Sequence, residues 1–357
     1  MKLLFISFYL HPLSFSGKLG GVELNIKNIA REMLRRGNQL QIVAPTNSAV
    51  ESLPIKEISG ELQPAFPLIP GPIYKHPAVI PDKAVIANIW DYARQVQADH
   101  DLIVDFGYDW LPFYLSPFFS CPVLHYLCMS SWISIIDREI ERVARLCPGT
   151  LGVHTKAQAE TYPVPQESFR ILGGAIDIAQ YEFCPEPGDS FAWAGRISPE
   201  KGLEDAVAAA EAIGVKLKIF GYLQNPEYWE KICHNYPNAR LEYMGFLPTE
   251  KFQAELGKCR ALLMTHKWVE AFGRVAPEAL ACGVPVISYC RGGPAEIVVD
   301  GKTGWLVEPD NLDELIAAIK RVDKIDRHLC RQRAETEYSL PALGDRLEQW
   351  FRDVLLS

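Results

Sequence analysis

The sequence has little positive charge to spare. Its 36 lysines and arginines face 44 aspartates and glutamates, a formal charge of −8 over 357 residues. An acidic chain is a poor ligand for nucleic acid. Low-complexity tracts are also missing: 48% of residues are apolar, 22% are charged, and glycine and proline together number 51. That balance excludes a disordered or fibrous chain. Nine cysteines occur, but with no Cys-x-x-Cys and no Cys/His cluster at zinc spacing. Reduced thiols in a cytoplasmic protein are therefore expected, not a disulfide framework. The opening Leu3–Leu10 run is broken by Pro12 and poorly flanked for a signal peptide, and it reads better as a first strand.

One stretch challenges the soluble reading. Trp110–Ile136 carries no formal charge over 27 residues, long enough to span a bilayer. Pro112, Pro117 and Pro122 would break such a helix repeatedly, and the flanking Asp109 and Asp137 give no positive-inside cue. No stable membrane insertion is expected. Nine of the 38 aromatic residues fall between Phe106 and Trp132. A buried core segment and an aromatic wall facing a ligand both fit that density.

At roughly 150 residues per domain the length suggests two domains. Short apolar runs (LLFISF, LQIVA, LIVDF, PVLHYL) alternate with amphipathic stretches such as Val22–Arg36, where Val22, Ile26, Ile29 and Met33 share one face. A second series follows: FAWAG, LKIFG, LEYMG, ALLMT and PVISY. Alternating strands and helices imply parallel α/β sheets. The Gly- and Pro-rich segment from Gly173 to Gly188 reads as a linker between two Rossmann-like, doubly wound halves. The first spans residues 1–172 and the second 173–339, with an amphipathic helix at 340–357. Residues 45–81 hold eight prolines and read as a long irregular excursion. Up to residue 172 there are 15 basic and 16 acidic residues, so nearly all of the net negative charge lies in the remainder.

Ligands in such sheets bind beyond the carboxyl ends of the strands. There, Gly17, Gly20 and Gly21 lead into a helix, without the Lys-Ser/Thr of a Walker A loop. A phosphate-facing helix terminus and a plain flexible turn both fit. Arg196 and Lys201 follow the strand FAWAG. They suit a departing diphosphate, or are two surface cations. Ser198-Pro199-Glu200 reads as a capped helix start, and so does Asn311-x-x-Glu314. The sharpest signal is Glu270-Ala-Phe-Gly-Arg-Val-Ala-Pro-Glu278, followed by Gly283-Val-Pro285. Glu270 would precede a helix and Glu278 lie on it, so both carboxylates could accept from hydroxyl-bearing rings. Phe272 and Gly273 offer amides to a phosphate. Pro277, however, would sit in a helix interior, where it removes a backbone bond.

The Glu-x7-Glu pattern, the Gly-Arg-x4-Lys before it, the Gly-Gly-Val-Glu loop and the Gly-Val-Pro-Val turn resemble the retaining GT-B glycosyltransferases of family 4. The resemblance implies two Rossmann-like domains facing a central cleft. It implies a nucleotide-sugar donor on the second and an acceptor on the first. Carried over by position, Glu278 holds the donor ribose and Glu270 the donor sugar. Arg196 and Lys201 hold the diphosphate, with Gly20 and Gly21 closing over it. Ala271, Phe272 and Gly273 give backbone contacts, and Gly245 and Phe246 lie near the base. His125 resembles the family's active-site histidine, which hydrogen-bonds the transferred sugar. A satisfied core histidine is the other reading. Asp99-His-Asp101 precedes a strand of the first half and reads as a solvated turn. Neither a metal nor a cofactor is expected beyond the nucleotide sugar.

Two segments, Ile89–Phe119 and His266–Gly283, further resemble the cyanobacterial UDP-glucose:tetrahydrobiopterin glucosyltransferases. That likeness implies UDP-glucose as donor and the side-chain hydroxyl of a reduced pterin as acceptor. A flat heterocycle wants aromatic faces and a carboxylate, which Asp105, Tyr108, Asp109, Trp110 and Tyr114 could supply. The alternatives are another small-molecule, lipid or polysaccharide acceptor, and a nucleotide-sugar-binding protein without turnover. A phosphorylase would need a lysine-held pyridoxal phosphate, and neither Lys201 nor Lys267 sits in a pattern that suggests it.

Overall fold

A computed structural model describes residues 1–13, 20–50, 52–63 and 81–356. Gly17 and residues 64–80 of the proline-rich excursion lie outside the described residues. The chain divides into two units, one formed by 1–174 with 340–357 and the other by 175–339.

The strands of the first unit are β1 (Lys2–Ile6), β2 (Gln39–Pro45), β3 (Ile55–Ile58), β4 (Leu102–Asp105), β5 (Val123–Leu127), β6 (Leu151–Val153) and β7 (Phe169–Ile171). They form one sheet in the order β3-β2-β1-β4-β5-β6-β7, and every pairing is parallel. Parallel strands are covered on both faces by crossover helices. Hence Leu3, Leu4, Phe5, Leu102, Ile103, Leu124 and Tyr126 are all fully buried. The helix Gly21–Arg35 buries Ile26, Ile29, Ala30 and Met33 and turns its basic residues outward. Arg35 pairs with Glu32.

The uncharged stretch is not one helix. It runs through a short helix Trp110–Leu115, a 3-10 turn Ser116–Phe118, β5, and the start of the helix Ser134–Leu146. Among the described residues no helix is long and apolar enough to cross a membrane.

The helix Leu340–Leu356 returns to the first unit. Arg36 donates to the carbonyl of Pro341 at 2.7 Å and pairs with Asp345 at 2.8 Å. Trp350 is almost fully buried and donates to the Gly149 carbonyl at 2.6 Å. Gly152 permits this approach, because a Cβ there would lie 2.8 Å from the indole.

The second unit contains β8 (Ser190–Ala194), β9 (Lys216–Phe220), β10 (Arg240–Gly245), β11 (Leu262–Met264), β12 (Val286–Tyr289) and β13 (Gly304–Val307). Their order is β10-β9-β8-β11-β12-β13, again parallel throughout. Two apolar clusters fill its faces, one around Leu262, Leu280 and Val286, the other around Phe191, Leu203 and Ile287. The expected linker is packed structure. Ile176 N donates to Tyr338 O, Cys184 N donates to Cys282 O, and Tyr181 is buried.

Two local expectations need correcting. Pro277 is the third residue of the helix Val275–Ala281. First-turn N–H groups have no intrahelical acceptor, so proline costs nothing there. Ser198 does not cap a helix. It precedes the 3-10 turn Pro199–Lys201, and its hydroxyl donates to Glu200 at 2.6 Å. The helix proper, Leu203–Ile213, starts after Gly202, which has φ +66°. Asn311 does cap, accepting from Glu314 N at 3.1 Å.

Candidate functional site

Strand order reverses once in each sheet, between β1 and β4 and between β8 and β11. The loops leaving the carboxyl ends of such strands diverge and leave room for a ligand. In the second unit Arg196 and Lys201 follow β8, while Glu270, Ala271, Phe272 and Gly273 follow β11. Glu278 lies in the first turn of the next helix. Gly245 ends β10 with Phe246 beside it, on the same edge two strands away. Phe246 is exposed.

Lys201 and Glu270 meet. The ammonium is 2.5 Å from Oε2, and both side chains are about four-fifths buried. Burial opposes the charge on Glu270. The charge and hydrogen bond of Lys201, aided by His266 and Trp268, nevertheless hold its pKa below the ordinary carboxylate value. The indole of Trp268 donates to the same Oε2 at 2.9 Å, and the Lys201 ammonium lies 4.6 Å from the indole centroid. Arg196 instead donates to Gln224 at 2.7 Å and pairs with Glu200 at 3.3 Å.

Glu278 is buried. Its Oε1 accepts from Tyr181 and from Arg274 Nε, each at 3.0 Å. Burial dominates here and raises its pKa, although Arg274 pulls the other way. The two glutamates therefore differ in electrostatic setting.

The loop after β11 is zipped to the loop after β12. His266 Nε2 donates to Arg291 O at 2.6 Å, and Arg291 Nη1 donates back to His266 O at 2.9 Å. Gly293 N donates to Glu270 O at 2.7 Å. Gly292 has φ +66°, and a Cβ there would lie 2.6 Å from Glu270 N. His266 Nδ1 is buried without a hydrogen-bond partner, and burial lowers the pKa of the ring. Sequence reasoning did not single out Tyr181, Trp268, His266 or the Gly292-Gly293 pair. Arg-Gly-Gly-Pro directly after a strand was the available signal for the last.

In the first unit Gly20 and Gly21 open the helix Gly21–Arg35, both exposed, and Gly20 is its extended N-cap. His125 needs correction. It pairs in register with Asp105 within the sheet and is fully buried. Nδ1 faces Asp105 Oδ2 at 3.0 Å and Nε2 faces Ser116 Oγ at 2.6 Å, while the Phe113 ring lies 4.3 Å away. This is the satisfied core histidine, with no ring edge open to a sugar.

The expected acceptor wall is also thinner. Asp105 also accepts from Gly107 N, and Asp109 caps Trp110–Leu115 by accepting from Leu111 N, both at 3.0 Å. Burial raises the pKa of Asp109. Tyr108 is buried, and its hydroxyl accepts from Trp132 N at 3.0 Å. Trp110 is half-buried and Tyr114 exposed, the latter beneath the Arg142 guanidinium at 4.7 Å. Asp101 of the Asp-x-Asp triplet accepts from Lys2 N. No group of three or more metal-ligating side chains occurs among the described residues.

Residues 183–337 match the family described as "Glycosyl transferases group 1". A glycogen synthase of Mycobacterium tuberculosis is 29% identical over 162 residues, 43% of this chain and 39% of that protein. The chain thus spans about two-fifths of the length of that relative. Among solved structures, Anabaena HepE in complex with UDP is similar over 99% of this chain and 100% of its own, at a TM-score of 0.76 and 18% identity. A sucrose-phosphate synthase of Thermosynechococcus elongatus covers 99% of both chains, at a TM-score of 0.75 and 18% identity. The two parallel-sheet units thus have the fold of the GT-B glycosyltransferases, and residues 183–337 are similar to the group 1 glycosyltransferase family.

Proposed function

We propose that the protein is a retaining glycosyltransferase that moves glucose from UDP-glucose to the side-chain hydroxyl of a reduced pterin. The observation that carries the donor half is the Lys201–Glu270 contact at the β8/β11 reversal. A nucleotide sugar needs cations for its diphosphate and carboxylates for its hydroxyls, and this edge offers both. HepE has been solved with UDP and with UDP-glucose, which supports the same donor class here. In the reaction the acceptor hydroxyl oxygen bonds to the anomeric carbon as the bond to the diphosphate breaks. The hydroxyl proton leaves with the departing UDP or passes to solvent. Lys201 and Arg196 neutralise the charge that develops on the leaving phosphate. Glu270 accepts from the transferred sugar, and Glu278 from the ribose. No metal or other cofactor takes part.

The pterin half rests on the likeness of Ile89–Phe119 and His266–Gly283 to the tetrahydrobiopterin glucosyltransferases, with Trp110 and Tyr114 as the stacking faces. One observation favours a second reading, a different small-molecule, lipid or polysaccharide acceptor. Asp105 and Asp109 are already engaged within their own unit, so the amino-amide edge of a pterin lacks its expected partner.

The test is UDP release from UDP-glucose by purified protein, with and without tetrahydrobiopterin. Pterin-dependent release with an α-glucoside product supports the whole proposal. UDP release only with other acceptors removes the pterin and keeps the enzyme. Failure with every nucleotide sugar removes the donor assignment.

A further inference from the structure

The donor assignment leaves unexplained why a tryptophan sits on both of its central residues. The Trp268 indole N–H and the Lys201 ammonium engage the same oxygen, Oε2 of Glu270, at 2.9 and 2.5 Å. The indole face also lies 4.6 Å from that ammonium. Glu270 Oε1 accepts from neither. Resting on the donor reading above, we propose that Trp268 is a positioning residue for the donor sugar: its indole N–H keeps the Glu270 carboxylate fixed and ionised after Lys201 turns to the diphosphate.

The reasoning follows the hydrogen-bond inventory. Lys201 cannot serve a carboxylate and a diphosphate equally, and the diphosphate carries more charge. Once Lys201 is diverted, Glu270 loses the partner that does most to offset its burial. An indole N–H is a donor only and does not titrate. A hydrogen bond from it to an ionised carboxylate is charge-assisted. It therefore continues to hold Oε2, leaving Oε1 for a sugar hydroxyl. The indole face also gives Lys201 a second resting contact, of the cation–π kind, 4.6 Å from the ring centroid. The loop bearing Trp268 is anchored on both sides, by His266 to Arg291 and by Glu270 to Gly293, so the ring has a defined place.

The experiment compares the parent protein with Trp268→Phe, which keeps a ring face and loses the N–H, and with Trp268→His, which restores a ring N–H. Isothermal titration with UDP and with UDP-glucose is run from pH 3.5 to pH 8, beside thermal unfolding. We expect Trp268→Phe to bind UDP within twofold of the parent and UDP-glucose about tenfold more weakly. Its UDP-glucose affinity should begin to fall at a higher pH on acidification. Trp268→His should recover part of that loss. Equal weakening toward UDP and UDP-glucose would mean simple packing and overturn the proposal, as would unchanged UDP-glucose affinity with an unmoved acid limb. If the parent binds neither UDP nor UDP-glucose, the donor reading itself fails and takes this one with it. That outcome is distinct from parent binding that is indifferent to residue 268.

Discussion

Replacing Lys201 with alanine probes the site and the stability of the second unit together. The ammonium and the Glu270 carboxylate are 2.5 Å apart and about four-fifths buried. At an effective dielectric of about 20, opposite charges at 4 Å attract by roughly 4 kcal/mol. Desolvation consumes much of that, but removing one partner strands the other charge, which costs roughly 3–5 kcal/mol for a fully buried pair. Some exposure remains, and Trp268 still donates to Glu270. We therefore expect Lys201→Ala to lose about 1–3 kcal/mol at pH 7. For a unit of this size that lowers Tm by roughly 2–4 °C per kcal/mol.

The pH dependence carries a definite sign. The folded-state pKa of Glu270 lies below its ordinary 4.5. Its contribution is thus present above the unfolded value and is lost as pH falls through the folded one. Lys201→Ala removes most of that contribution, so parent and variant converge below about pH 4. On the donor reading, turnover also falls about 10²–10³-fold, as when a single electrostatic stabiliser of a transition state is removed. Scanning calorimetry across pH and a UDP-release assay measure the two effects. A variant within 1 °C of the parent at pH 7 and within threefold of its turnover would refute both the pair's contribution and its role.

Three further expectations follow from the same geometry. Glu278→Gln should weaken UDP binding by about 1.5–3 kcal/mol, the range for hydrogen bonds to a charged group, as read by titration. Because the folded pKa of Glu278 is raised above 4.5, its contribution is present below that value and lost as pH rises. The stability cost of Glu278→Gln should then be smaller at pH 7 than at pH 4, and the reverse order in urea midpoints would contradict this. Gly202→Ala should cost about 3 kcal/mol or more, from positive φ and overpacking, since a Cβ there would lie 1.9 Å from Thr265 O; near-parental denaturation would refute it. His125→Ala removes a buried hydrogen-bond partner of Asp105 and of Ser116 and leaves a ring-sized void, and should cost about 2–4 kcal/mol in thermal stability. Unchanged stability with lost turnover would return His125 to the role of touching the sugar.

The strands long enough to show an apolar run were legible in the sequence, as were the helices between them. β3, β6, β7 and β13 were not singled out, because IKEI, LGV, FRI and GWLV each carry a charge or a glycine within or at the head of the run, whereas the equally short LLM of β11 is continuous. Glu270 and Glu278 stood out by spacing and by the glycine that closes the helix behind them. Their partners did not. Tyr181 is 97 residues from Glu278, and Lys201 is 69 from Glu270. Such contacts arise from the crossing of strands, not from local order. The partners of Asp105 and Asp109 were hidden for a related reason. A carboxylate beside aromatics looks ligand-facing in a linear string, but one answers a histidine on the next strand and the other closes a helix turn. His125 shows the same limit: strand position is readable, but which neighbours occupy both ring nitrogens is not.

The return of Leu340–Leu356 to the first unit sets an order of events during synthesis. The second unit is one continuous segment, 175–339, and every strand of its sheet has emerged before that final helix is made. The first unit starts earlier and finishes later. The pocket at Gly152 stays open until Trp350 fills it, and Arg36 waits on Pro341 and Asp345. The first sheet, with all seven of its strands already made, must therefore persist with part of its cover missing while its neighbour in the chain folds. Such exposed apolar surface is where aggregation starts. Loss of the last seventeen residues of the described chain would thus be felt at its beginning, in the unit translated first.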